Sequence, residues 1–344
     1  MDLAAAQNSI ETANLPVKLK ETVQETLDRL KNLSQGKEYY TEYDSLLRYI
    51  DWVVNLPWEK ESQDQLDLKQ AKEILDQGHF GLEPIKERIL EYLSVRKLQN
   101  RVEGSVFKAP ILCFAGLQGS GKTTLAKSIA KALNRKFERV SLGAIGSTSQ
   151  LRGRPRSEPD SEPGQIIKSL RRAETRNPVI LLDEIDKVSG ETSLRNDVMA
   201  ALLEILDPEQ NPTFRDHYVD FPFDLRHVIF VCTANDLVTV SPALLDRMEV
   251  VQMPSYSDSE KITIGKDYLL PQIAKENGLK DKEITITESL WPKIVRPLGF
   301  DAGLRTLERN LDTITRKVAK KIVTGEGQNF TITENNLKEF LESY

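Results

Sequence analysis

The run Gly116-Leu117-Gln118-Gly119-Ser120-Gly121-Lys122-Thr123 constrains this chain more than any other segment. It matches G-x-x-x-x-G-K-[ST] in full, with the apolar run Ile111-Leu-Cys-Phe114 before it and a helix-like stretch, Thr124–Leu133, after it. Such a loop wraps phosphates. Its glycines let backbone N–H groups turn inward, and the helix N-terminus adds a positive dipole. Lys122 would neutralise charge on the β- and γ-phosphates, and the Thr123 hydroxyl would ligate Mg²⁺. A strand–loop–helix unit of this kind calls for a layered sheet around it and for ATP within it.

The middle of the chain supplies the sheet. Val179-Ile-Leu-Leu182 and Val228-Ile-Phe-Val-Cys232 are apolar without alternation, as central parallel strands are when both faces are covered. Between Phe80 and Pro254 such runs alternate with helical stretches, which argues for an α/β fold. Asp183-Glu184 closes one strand. There Asp183 would hold Mg²⁺ through water, and Glu184 would be the base that polarises the attacking water. Thr233-Ala-Asn235 closes the next. The Asn235 amide suits a γ-phosphate or that water, although from this segment alone a turn-forming Asn is the preferred reading.

The flanks are helical. Leu19, Val23, Leu27, Leu30 and Leu33 recur at helical spacing, Tyr40–Val54 carries Tyr43, Leu46, Leu47, Ile50 and Val54, and a third helix is expected over Leu68–Gln77. Asn55-Leu-Pro57-Trp58 ends the second, because Pro disfavours helix in the residue before it. A small bundle without chemistry is the simplest reading. Beyond Ser255, Ser257-Asp-Ser-Glu260 is a capping box, and Ile284–Ile286 and Phe330–Ile332 are expected to pair as a ribbon. The division expected is a helical segment over 1–75, a nucleotide-binding core over 76–255 and a helical unit over 256–344.

A net charge of −5 gives no global basic excess for nucleic acid or an anionic membrane. No apolar run nears the ~18 residues of a membrane span, and the N-terminus does not read as a signal peptide. Cys113 and Cys232, both within apolar runs, suit buried thiols in a reducing, cytoplasmic compartment. Three histidines without clustered Cys/His spacing argue against zinc.

Taken together, these motifs resemble the AAA+ ATPases and, among them, the Lon protease family. The resemblance rests on Leu202–Asn211, Phe214-Arg-Asp-His-Tyr218, Leu244-Leu-Asp-Arg-Met-Glu-Val-Val251, His79-Phe-Gly-Leu-Glu83, Arg88–Leu93, Leu56-Pro-Trp58, Leu66-Asp-Leu68 and Gly303-Leu-Arg305-Thr-Leu-Glu-Arg309. It runs over residues 12–344. It implies a five-stranded parallel sheet sandwiched by helices, then an α-helical lid. It also implies a homo-oligomeric ring, expected to be hexameric, that spends ATP on unfolding and threading protein substrates for degradation. Asn235 would be sensor 1, and Arg305 sensor 2 on its own subunit's γ-phosphate. Arg247 would be the arginine finger on the neighbour's nucleotide. Phe80, Gly81 and Leu82 would line the adenine pocket, and Thr124 would continue the phosphate site. Cys113 and Cys232 would fall on adjacent strands.

Two departures stand out. The family's serine–lysine peptidase domain follows the lid, whereas this chain ends at Glu342-Ser-Tyr344, and the large N-terminal substrate domain has only its terminal helical part here. That reads as an excised or truncated form, or as a short protein. In the central pore loop, Glu158-Pro159 stands where the family has an aromatic–aliphatic pair, and a second loop near Ser189–Asp197 is also polar. A ring of acidic loops would repel acidic substrates and lacks apolar grip. Alternatives are a nucleotide-dependent scaffold or adaptor that threads nothing, and a DNA-associated ATPase using Arg152, Arg154 and Arg156. The interspersed acids argue against the latter.

Overall fold

The computed structural model describes residues 2–33, 40–99, 110–188, 192–280, 282–296 and 303–341. Its strands are β1 (Ile111–Ala115), β2 (Phe137–Ser141), β3 (Val179–Asp183), β4 (Phe214–Arg215), β5 (Pro222–Phe223), β6 (Ile229–Ala234), β7 (Met248–Gln252), β8 (Ile284–Ile286) and β9 (Phe330–Ile332). Five of them form one parallel sheet in the order β2-β3-β6-β1-β7. Every residue of β3 and β6 is buried. Strand alternation sends Ile180, Leu182, Phe230 and Cys232 into one apolar cluster and Leu181, Val231, Leu112 and Phe114 into the other. The second cluster is closed by the helices Lys122–Ala132 and Glu83–Gln99. Cys113 and Cys232 lie opposite each other on β1 and β6 as buried free thiols.

The sequence reading passed over β2 and β7. Both lie at the edges of the sheet, are only partly covered, and carry charges that an apolar pattern hides. Those charges are engaged: Arg172 donates to Glu138 at 2.7 Å and Arg88 to Glu249 at 2.9 Å.

The N-terminal helices Leu3–Thr12, Val17–Leu33 and Tyr40–Val54 pack together and join the first cluster, so they are not separate from the core. Leu19, Val23, Leu27 and Leu30 are buried at this seam. The antiparallel pair β4–β5 receives the bundle. The Tyr49 ring meets Tyr218 edge-on at 6.2 Å, and Trp58 packs on Phe223 at 5.1 Å.

The C-terminal unit packs around Trp291, Leu311, Ile314 and Phe340. Ser257 and Glu260 form the reciprocal cap of the helix Asp258–Ile264. A wider π turn, Gly265–Leu269, follows, and a Cβ on Gly265 would stand 2.7 Å from the Trp291 ring. β8 and β9 pair in parallel. Residues 189–191 of the expected second pore loop, and 342–344 at the chain end, lie outside the described residues; Thr192–Leu206 is helical.

The segment 153–164 holding Glu158-Pro159 is pinned at its neck. Fully buried Asp216 accepts from Gly164 N at 2.7 Å, Tyr218 N at 2.9 Å and Val219 N at 3.0 Å. A Cβ on Gly164 would sit 2.0 Å from Leu151 O, so the close approach demands glycine. Glu158, Pro159 and Asp160 at the tip are exposed. Burial raises the Asp216 carboxyl to about 6 despite its three N–H donors. Its folded value therefore exceeds its unfolded one, and its share of stability is lost as pH rises through about 6. The advantage of the parent over Asp216→Asn should be largest near pH 4 and shrink towards pH 7. Urea titrations at several pH values read this difference, and a difference that grows with pH contradicts it.

Candidate nucleotide site

β1 delivers the chain into the phosphate loop, and the helix Lys122–Ala132 carries it away. Gly119 and Gly121 hold φ of 78° and 91°, left-handed values that a side chain resists. A Cβ on Gly116 would stand 2.7 Å from Met253 O. Lys122 is buried, and its Nζ donates to Gly116 O at 2.6 Å, Leu117 O at 2.9 Å and Asn235 Oδ1 at 3.1 Å. Desolvation lowers its pKa, opposed chiefly by Asp183 and Asp186, while Arg305 adds to the lowering. Thr123 lies in the first helical turn, and Thr124 Oγ1 donates back to Gly121 O at 2.7 Å.

The acid pair sits at the end of β3. Asp183 is buried. Its Oδ1 accepts from Thr233 Oγ1, and its Oδ2 accepts from Arg139 Nε at 2.6 Å. Glu184 adopts φ 59°, donates its N–H to Thr233 Oγ1 at 2.9 Å and pairs through Oε1 with Lys187 Nζ at 2.5 Å.

The C-terminal unit reaches the same loop. Leu304 N donates to Gly119 O at 3.1 Å, Arg305 Nη1 donates to Gln118 Oε1 at 2.9 Å, and Tyr256 Oη donates to Ser120 O at 3.2 Å. A Cβ on Gly303 would come 2.2 Å from Gln118 O. Phe80 meets Tyr268 edge-on at 6.3 Å, next to Gly81 and Leu82, which both take left-handed φ. Arg247 lies elsewhere. It pairs with Asp207 and donates to Ala243 O, each at 2.8 Å.

These residues suit Mg-ATP. Asn235 Nδ2 and Ser120 Oγ are buried without a partner, one beside Lys122 and one within the loop. Such orphaned groups are costly unless a ligand satisfies them. The Arg139 guanidinium on Asp183 Oδ2 marks a place that accepts a cation. A threonine hydroxyl with a carboxylate is the oxygen donor set that Mg²⁺ prefers.

Arg139, Lys187 and Tyr256 were not picked out from sequence, and Thr233 entered only as the first residue of Thr233-Ala-Asn235, without a role. Arg139 and Lys187 look like ordinary surface charges there, and Thr233 like a strand residue. Only its place two residues before Asn235 hints at more.

The phosphate loop on the β1 side of a β2-β3-β6-β1-β7 sheet, met by a helical unit from the C-terminal part, is the architecture of an AAA+ ATPase. Residues 112–256 match the ATPase family associated with various cellular activities, and residues 275–342 match the Lon protease AAA+ ATPase lid domain. The chain is 45% identical over 99% of its length to the Lon protease of Lawsonia intracellularis, covering 40% of that protein. It is 47% identical to Lon protease 1 of Bacillus subtilis, over 96% of this chain and 42% of the relative. For the Lon protease of Dictyoglomus thermophilum the figures are 46%, 94% and 40%. The chain belongs to the Lon protease family and carries its AAA+ ATPase segment. It spans about two fifths of the length of these curated relatives.

Replacing Lys122 with Ala should weaken binding of a fluorescent ATP analogue by roughly tenfold or more, the scale of a lost charged hydrogen bond. Fluorescence anisotropy measures it, and parental affinity in the variant would remove Lys122 from the site.

Proposed function

We propose that this chain binds and hydrolyses Mg-ATP as the motor module of a Lon-type ATP-dependent protease, coupling turnover to the unfolding and threading of protein substrates. The observation that carries this reading is convergence: Lys122 bonds Asn235, the acid pair closes the neighbouring strand β3, and Arg305 reaches the loop from the C-terminal unit. We assign 1–75 as the end of an N-terminal region, 76–255 as the nucleotide core and 256–344 as the lid.

In this mechanism the N–H groups of Gly116 to Thr123 cradle the phosphates and Lys122 exchanges loop carbonyls for phosphate oxygens. Mg²⁺, held by Thr123 and through water by Asp183, would offset phosphate charge. Glu184 leaves Lys187 and takes the proton of the attacking water. Asn235 turns its unpaired amide towards that water or the γ-phosphate, and Arg305 exchanges Gln118 for the γ-phosphate. Arg247 leaves Asp207 and reaches the nucleotide of the next subunit, so hydrolysis depends on a ring, which we take to be hexameric. The family's peptidase domain would receive the threaded chain. Among the described residues, no helix is long and apolar enough to cross a membrane; the buried thiols suit a reducing compartment such as the cytoplasm.

A second reading, a nucleotide-dependent scaffold, is favoured by the exposed Glu158-Pro159 tip, which offers no aromatic grip. The nucleic-acid reading is weakened because Arg152 pairs with Glu204 at 2.8 Å and Arg156 stacks over Tyr49 at 3.9 Å.

Glu184→Gln should cut ATP turnover by about 100-fold or more while keeping nucleotide affinity, the signature of a lost general base. Parental turnover would end that assignment. Arg247→Ala should lower turnover by about 10³-fold while mass by light scattering and nucleotide binding persist. Turnover independent of both Arg247 and protein concentration would argue for hydrolysis within one subunit.

A further inference from the structure

We propose that Thr233 is the positioning residue for both acids of the site, one hydroxyl setting the cation-binding oxygen of Asp183 and the backbone of Glu184. The inference rests on the ATPase reading above and gives a role to Thr233, which the motif Thr233-Ala-Asn235 contains but leaves without one. Thr233 lies on β6 and is fully buried. A hydroxyl has one proton to give and two lone pairs to offer. Here the proton goes to Asp183 Oδ1, and a lone pair accepts Glu184 N–H at 2.9 Å. The last residue of β3, Asp183, and the one after it, Glu184, are thus tied to one side chain on the next strand.

Both ties have consequences. With Oδ1 held by Thr233, the carboxylate plane is set and Oδ2 is the oxygen turned to the cation, which here is the Arg139 guanidinium at 2.5 Å. The parallel ladder between β3 and β6 runs to Leu182 opposite Cys232. Beyond it the Thr233 hydroxyl takes over, and Glu184 turns into a left-handed backbone, φ 59°, that residues with a Cβ rarely adopt. The bond to its N–H holds that turn. Asn235 follows directly after the last residue of β6, Ala234, and accepts from Lys122 at 3.1 Å. The end of β6 therefore sets the acids through Thr233, and the residue just past it, Asn235, meets the phosphate-loop lysine. Serine keeps the hydroxyl. Valine keeps the shape and removes it, leaving a buried N–H and a buried carboxylate oxygen short of a partner.

The test uses the whole chain with Thr233→Val and Thr233→Ser, reading fluorescent-ATP binding against Mg²⁺ concentration, steady-state kcat and KM, and melting temperature. Expected for Thr233→Val is parental affinity without Mg²⁺, a Mg²⁺ requirement raised severalfold, and kcat lowered about tenfold with KM within about twofold. Thr233→Ser should recover most of both. Should Thr233→Val not fold, Thr233→Ala carries the same comparison. A parental Mg²⁺ requirement and kcat in Thr233→Val, or a Ser variant as impaired as Val, overturns the proposal. If the parent binds Mg-ATP without hydrolysing it, the ATPase reading fails, while the Mg²⁺ requirement still decides the role of Thr233.

Discussion

A buried ammonium at the start of a helix is the constraint around which this structure is arranged. Lys122 sits on the first turn of the helix that leaves the phosphate loop, with three oxygens around its Nζ. A desolvated charge is tolerated only when its hydrogen bonds are made. The loop carbonyls of Gly116 and Leu117 supply two of them, which requires the loop to fold back over its own lysine. That fold is open only to residues able to take φ of 78° and 91°, hence Gly119 and Gly121. The remaining bond comes from Asn235, so the position of β6 beside β1 is part of the same solution.

The same compensation runs through the site. Asp183 has Arg139, Glu184 has Lys187, Arg305 has Gln118 and Arg247 has Asp207. Each charged group that would act on a triphosphate is matched within the chain. Binding then becomes an exchange of partners rather than the filling of a bare polar cleft, and partner exchange is cheap compared with stripping a charge of all contacts. It also links the parts: Arg305 comes from the C-terminal unit, and Leu304 N bonds Gly119 O, so a change at the phosphates is felt by that unit directly.

Much of the α/β layer was legible in sequence because central parallel strands are apolar on both faces, and β1, β3 and β6 read as such runs. Edge strands obey a weaker rule. β2 carries Glu138 and Arg139, β7 carries Glu249 and Gln252, and their open faces let charges in. The pair β4–β5, with two residues in each strand, is too short for any pattern. The N-terminal helices were visible through their spacing, but their docking on β4–β5 through Tyr49 and Trp58 was not, since amphipathic spacing shows that a face is buried and not what it meets. At the site, Gly116–Thr123 and Asp183-Glu184 stood out because each does its chemistry within a few consecutive residues. Phe80, Gly81 and Leu82 entered only by resemblance, Arg139 and Lys187 gave no signal, and Thr233 gave only its place in Thr233-Ala-Asn235.

The sequence alone determined that this chain holds a phosphate loop in a strand–loop–helix context, an apolar strand ending in two acids, and helical flanks. Those are local properties, set by glycine conformations, helix dipoles and runs of burial. Only the tertiary structure decided which oxygen of Asp183 is held and by what, that Glu184 turns left-handed against Thr233, and that Arg305 meets the loop while Arg247 rests on Asp207. The physical reason is range: a hydrogen bond between residues forty or more positions apart depends on strand order and register, which no short window of sequence contains.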